Sequence, residues 1–235
     1  MRPKLLDLFC GAGLGTRGYA AYFDMTGVDI APQPNYPFTF VQADALEYVA
    51  AHGHEYDIIH ASPVCKGYSG AGVLAADNRK VYDLAISQVR AILRGIGKPY
   101  IIENVEGARW DMHAPITLCG SMWPELRVYR HRLFETWPEI MLTPYHAPHD
   151  DRTPPAGRGR SPKGFMSITS GGITGVTMAE RFAAMGHSTV CATNKELNES
   201  FPPQFCEYIG ARMIELMQMQ AATAHRVEAI REMLG

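Results

Sequence analysis

A chain of 235 residues, 46% hydrophobic and 20% charged, has enough apolar content for one core and too little charge for disorder. Its net charge of −2 does not mark a general nucleic-acid binder, and no apolar run reaches the roughly 20 residues of a membrane span. The five cysteines (Cys10, Cys65, Cys119, Cys191, Cys206) are odd in number and lack CxxC spacing, which argues against a disulfide framework and a zinc site alike.

Met1-Arg2-Pro3-Lys4 leads straight into the apolar run KLLDLF, without a signal-peptide cleavage site. A reduced, cytoplasmic protein without a metal is expected. The run reads as a strand ending at the turn Cys10-Gly11-Ala12-Gly13-Leu14-Gly15, with a helix to about Phe23. Residues 26–30 and 38–41 read as the second and third strands. Asp44 opens a helix to about His52, and residues 56–61 (YDIIHA) form a buried fourth strand. Residues 81–95 have helical spacing, and residues 99–105 (PYIIENV) are the fifth strand. Strands alternating with helices predict a Rossmann-like, doubly wound, mostly parallel α/β sheet. Residues 143–175, rich in Pro, Gly, Ser and Arg, predict a loop-rich lobe, and residues 203–234 predict two helices separated near Gly210. The expected organisation is a cofactor-binding and catalytic domain over 1–138, a short lobe over 139–195, and C-terminal helices over 196–235 packing back on the first.

The glycine turn lets a ligand approach the backbone and aims N–H groups at it. Asp29, about 20 residues farther on, ends the next strand, where an acid accepts hydrogen bonds from ribose hydroxyls. Asp44 is placed to receive an adenine amino group. The turn lacks GxGxxG spacing and a phosphate-cradling lysine, which favours a cofactor without pyrophosphate. Cys65 follows the fourth strand on a Pro-containing turn. Lys66 stands beside it, and a nearby ammonium favours the thiolate. Glu103 ends the fifth strand, where desolvation raises a carboxyl pKa and allows it to give a proton to a ring nitrogen. Between Arg127 and Lys163 seven cations face four anions, so this stretch is locally basic.

Taken in order, these segments resemble the C5-cytosine DNA methyltransferase family, in particular its short phage-encoded form. DLFCGAG is similar to the family's first motif, and Ser62-Pro63-Val64-Cys65 to its nucleophile turn. Glu103-Asn104-Val105 matches its Glu-Asn-Val motif, and Arg130-His131-Arg132 its paired arginines. Pro202-Pro203 through Ile209-Gly210 resembles its last motif. The likeness covers residues 5–135 and 195–215. It implies the methyltransferase fold, S-adenosylmethionine as cofactor with S-adenosylhomocysteine as product, and no metal. It also implies a flipped cytosine of double-stranded DNA as substrate, bound by a monomer. Cys65, Glu103, Arg130 and Arg132 would be catalytic. The cofactor would meet Asp7, Phe9, Cys10, Gly11, Gly13, Asp29, Ile30, Asp44, Ala45, Pro63 and Ala211. Lys66, Ser69, Asn104, Arg158, Arg160 and Lys163 would contact the nucleic acid.

The chain departs from the family at Val64, Lys66, Val128 and Ala211, with Arg212 beyond; Lys66 and Arg212 bring added positive charge. Only about 65 residues lie between Glu135 and Pro202, so a short or relaxed recognition sequence is expected. Three alternatives stay open: an RNA cytosine methyltransferase, an inactive cofactor-binding DNA-binding protein, and transfer of an unusual group such as carboxymethyl.

Overall fold

Leu5-Leu6, Ile58-Ile59 and Ile101-Ile102 are adjacent apolar pairs, and neighbouring side chains of a strand point to opposite faces. Such pairs require a sheet covered on both sides. The computed structural model, which describes residues 2–65, 67–68, 86–149, 164–166, 168 and 175–234, contains that sheet. Its seven strands are β1 Lys4–Leu8, β2 Asp24–Asp29, β3 Thr39–Gln42, β4 Ile58–Ala61, β5 Tyr100–Asn104, β6 Ile116–Cys119 and β7 His131–Trp137. They lie in the order β3-β2-β1-β4-β5-β7-β6. The first five are parallel, and β7 runs antiparallel to both β5 and β6.

On one face Leu6, Ile59 and Ile102 pack with Val49 of α1 (Ala45–His52) and with Val89 and Leu93 of α2 (Ile86–Ile96). On the other, Leu5, Ile58 and Ile101 meet Tyr19 and Phe23, and also Phe205, Ile209 and Met213 of the last helix. Full burial of each such side chain contributes about 1.5–3 kcal/mol. A third cluster joins Ala12 and Leu14 of the glycine turn to Val128, Met166, Ile168, Phe182, Met185 and Leu197, and so seats part of the lobe against that turn.

The helix expected after the glycine turn is only a 3-10 segment, Thr16–Ala21, within which Gly18 weakens α-helical propensity. The two expected C-terminal helices are one, Pro203–Leu234, so Gly210 is not a break. A Cβ there would lie 2.9 Å from the Tyr22 ring and 3.2 Å from Tyr19. Glycine at this point allows the helix to press on the 3-10 segment, which offsets the roughly 1 kcal/mol it costs in helix propensity. Between Ala184 and Pro203 one more short helix stands, Asn194–Glu199, and before it Met178–Ala184; numbered in chain order these are α3 (Met178–Ala184), α4 (Asn194–Glu199) and α5 (Pro203–Leu234). Both short helices begin at capping boxes, Thr177 with Glu180 and Thr193 with Glu196, a T-x-x-E signal legible in the sequence. Among the described residues, no helix is long and apolar enough to cross a membrane.

Candidate active site

The carboxyl ends of β1 to β4 open onto one crevice, the place where open α/β sheets bind ligands. After β1 the backbone turns sharply: Phe9, Gly11 and Gly13 have φ of 57°, 49° and 64°. A non-glycine residue held in this region costs about 1–3 kcal/mol and must be enforced by its surroundings. Gly11 N donates to Asp29 Oδ2 (3.0 Å) and Ala31 N donates to Asp29 Oδ1 (3.0 Å), so the acid ties the glycine turn to the loop after β2. A Cβ on Gly11 would meet no atom within 4 Å, which leaves open space against the backbone for a ligand.

Phe9, Gly11, Asp29, Ile30 and Asp44 present surface at this crevice, and Ile30 is 71% exposed. Asp44 spends Oδ1 on capping α1, accepting from Leu46 N and Glu47 N. Cys10, Gly13, Ala45 and Pro63 are buried and shape the crevice from beneath. Burial pushes the Cys10 thiol up, so it is inert. Ala211 is half-buried on α5, the helix that packs on Thr16–Ala21.

Asp7 is fully buried and offers a ligand no surface. Its Oδ2 accepts from Thr16 Oγ1 (2.6 Å) and Tyr36 OH (3.2 Å), which braces the turn from below. Burial raises its pKa from 3.8 to about 7, against the pull of those two hydrogen bonds. Between about pH 4 and 7 the folded chain keeps a proton that the unfolded chain has lost. Stability therefore falls as pH rises through this window, by up to about 4 kcal/mol, and levels off above it. Asp7→Asn, which keeps an acceptor for Thr16 and Tyr36, is expected to remove this contribution. Urea midpoints of both proteins at pH 4 and pH 8 test it, and an unchanged pH difference in the variant refutes it.

Cys65 follows β4 and is exposed. Its turn is held to β5 by Asn104 Nδ2, which donates to Pro63 O (3.0 Å). Glu103 is the penultimate residue of β5, and Arg132 lies diagonally across from it on β7, since Glu103 sits opposite Phe134. Arg132 Nε is 2.8 Å from Glu103 Oε1, with the two side chains only 12% and 8% exposed. Oε1 is buried and, beyond this ion pair, accepts no hydrogen bond from the described residues. Burial raises the Glu103 pKa against the opposing pull of Arg132, then Ser62, then Arg130. Desolvation also raises the Cys65 thiol, with Arg132 pulling it down and Glu103 pushing it up. Thiol, carboxyl and guanidinium are thus electrostatically coupled.

Behind them lies a buried polar relay absent from the sequence reading. His60 joins Tyr19 OH (Nδ1, 3.1 Å) to Ser62 Oγ (Nε2, 2.8 Å), and Ser62 in turn hydrogen-bonds Glu103. Burial lowers the His60 pKa to about 3, so the ring is neutral and donates at one nitrogen while accepting at the other. Glu135 of β7 is likewise buried, gripped by Arg90 Nε and Nη2 at 2.5 and 2.6 Å, which fixes α2 against the hairpin. An apolar run with a polar residue inside it is the only local hint of either.

Arg130 is turned to another task. Its Nη1 donates to Ile168 O (2.8 Å) and Nη2 to Asn198 O (2.5 Å), so it ties Ile168 of the lobe to Asn198 of α4. Arg212 pairs with Glu215 (2.8 Å) and lies over the Tyr208 ring, which absorbs its charge locally. Lys66, Ser69, Arg158, Arg160 and Lys163 lie outside the described residues.

The fold is similar to that of the methyltransferase EhMeth from Entamoeba histolytica, at 12% identity over 94% of this chain and 99% of that chain, with a TM-score of 0.55. Magnesium protoporphyrin IX methyltransferase (ChlM) from Synechocystis PCC 6803, solved with bound SAM, matches 57% of this chain and 70% of that one at 14% identity and a TM-score of 0.35. No family model and no curated protein matches the sequence. The likeness to EhMeth defines the fold as the Rossmann-like, mostly parallel methyltransferase sheet.

Proposed function

We propose that the chain is a DNA cytosine C5 methyltransferase using S-adenosylmethionine. The observation that carries this reading is the exposed Cys65 coupled to a buried Glu103–Arg132 pair, whose Glu103 Oε1 accepts no hydrogen bond from the described residues. A ring N–H or an exocyclic amine is the partner such an oxygen lacks.

The cofactor crevice supports the same reading: Gly11 leaves room against the backbone, Asp29 at the end of β2 would accept from ribose hydroxyls, and exposed Ile30 would offer an apolar face to adenine. S-adenosylmethionine bound there supplies an electrophilic methyl group on sulfur. The Cys65 thiolate adds to C6 of a flipped cytosine, and Glu103 protonates or hydrogen-bonds N3, so that C5 becomes an enamine-like nucleophile. Arg132 holds Glu103 and faces the base's carbonyl oxygen. Methyl transfer to C5 leaves S-adenosylhomocysteine; solvent water then takes the C5 proton as the C6–S bond breaks, which restores the C5–C6 double bond and the Cys65 thiolate. Residues 139–195 serve as the target-recognition lobe, with Arg158, Arg160 and Lys163 on phosphates.

The test is incubation with methyl-labelled S-adenosylmethionine and duplex DNA, single-stranded DNA or tRNA, followed by nucleoside mass spectrometry. Labelled 5-methyldeoxycytidine from duplex DNA is expected. Label confined to tRNA assigns the RNA reaction instead, and no label on any substrate overturns catalysis. Asp29→Ala is expected to weaken S-adenosylmethionine binding by about 1.5–3 kcal/mol, the loss of a charged hydrogen-bond acceptor. Unchanged affinity by calorimetry would remove the ribose from that position.

A further inference from the structure

Cys119 ends β6 fully buried, and His131 opens β7 directly opposite it in the antiparallel register. His146 and His149, three residues apart on the segment after β7, fold back over this corner. One ligand atom from each of the four lies within 4.8 Å of all the others. His146 Nε2 is 3.0 Å from His149 Nε2, and Cys119 Sγ is 3.4 Å from His149 Nε2.

We propose that Cys119, His131, His146 and His149 bind one zinc ion. With Zn–N near 2.0–2.1 Å and Zn–S near 2.3 Å, a tetrahedral site has N···N edges of about 3.3 Å and N···S edges of about 3.5 Å. The two separations above are edges of that polyhedron, slightly contracted. Three imidazoles and a thiol form a borderline-soft set that suits zinc, whereas magnesium and calcium take oxygen ligands. Four protein ligands fill the coordination sphere, so the site is structural.

The surroundings match what such a site needs. Glu106 Oε2 lies 3.3 Å from His131 Nδ1, a carboxylate-to-histidine contact of the kind that orients a metal-bound imidazole. Ser121 Oγ donates to Cys119 Sγ (3.2 Å). Tyr129 stacks between His149 and Phe165, at 4.2 Å from each, and shields the corner from water. The ion would pin the chain leading into residues 150–163 onto the sheet edge, one residue from Arg132. The expectation of a metal-free protein came from the missing CxxC spacing. Here the β6–β7 pairing joins a cysteine and a histidine whose spacing carries no signature, and Cys119 and His149 stand 30 residues apart.

The test uses the untagged full chain, purified without chelator, and reads the metal independently of methyl transfer. Mass-spectrometric metal analysis is expected to find about one zinc per chain, as for a closed four-ligand site. Cobalt(II) added to the metal-stripped protein is expected to give the intense d–d bands of a tetrahedral site together with a thiolate-to-cobalt charge-transfer band. Cys119→Ser is expected to lose the charge-transfer band. Glu106→Gln is expected to keep the band and weaken zinc about 10–100-fold in competition with a chromophoric chelator. Purified wild type without zinc, no charge-transfer band in wild type, or copper in zinc's place would overturn the proposal. Persistence of the band in Cys119→Ser would overturn it equally. The wild-type cobalt spectrum decides the matter even where a variant fails to fold.

Discussion

Cys65→Ala is expected to lower methyl transfer by about 10⁴-fold or more, because a covalent route loses its only nucleophile. Affinity for S-adenosylmethionine should be unchanged, since the proposed cofactor contacts lie in the loops after β1, β2 and β3 and at Pro63, and Cys65 is not among them. A duplex carrying 5-fluorocytosine at the target should form a stable adduct with the wild type and none with the variant, resolved by denaturing electrophoresis and intact mass. Substantial turnover by the alanine variant would end the covalent mechanism. The pH dependence follows from the raised thiol. Because Cys65 rests as a thiol near neutrality, adduct formation should accelerate as pH rises through neutrality.

Glu103→Gln is expected to cost about 10²–10⁴-fold in kcat, the usual contribution of a positioned general acid. Glutamine keeps the shape and leaves Arg132 an acceptor, which limits the destabilisation that follows when a buried ion pair loses one partner. A second readout separates chemistry from misfolding. Glu103 pushes the Cys65 thiol up and Arg132 pulls it down. The apparent pKa of Cys65 alkylation should therefore fall in Glu103→Gln and rise in Arg132→Met. The other cysteines are buried, apart from half-buried Cys191, and peptide mass spectrometry isolates Cys65. Shifts of the same sign in both variants would show that the three groups are not coupled as described.

Much of this site was legible because its signals are local. The glycine turn, the acid ending β2, the Asp44 cap and the Cys65 turn each lie within a few residues of a strand end, where backbone geometry imposes its own residue choices. Buried apolar pairs such as Ile101-Ile102 marked strands covered on both faces. Other features had no local signature. β7 carries His131, Arg132 and the buried Glu135 among apolar residues, so its alternation was broken and the strand went unread. Its Glu135 and Arg132 find their ion-pair partners, Arg90 and Glu103, on other elements. Gly210 read as a helix break because nothing near it in sequence reveals the rings of Tyr19 and Tyr22 against its Cα.

The five parallel strands with α1 and α2, the crevice loops and the chemical types of Cys65, Glu103 and the two arginines were legible along the chain. Local conformational preference and the two-residue period of a strand act over neighbouring residues, and a linear reading captures them. Tertiary structure alone decided the strand order that brings β7 beside β5. It also decided that Arg132 pairs with Glu103 while Arg130 holds Ile168 and Asn198. It placed Cys119, His131, His146 and His149 at one corner. Those outcomes depend on contacts between residues far apart in the chain, set by which faces bury together and which buried charges find partners. Two arginines one residue apart carry the same local signal, and only the packed fold tells them apart.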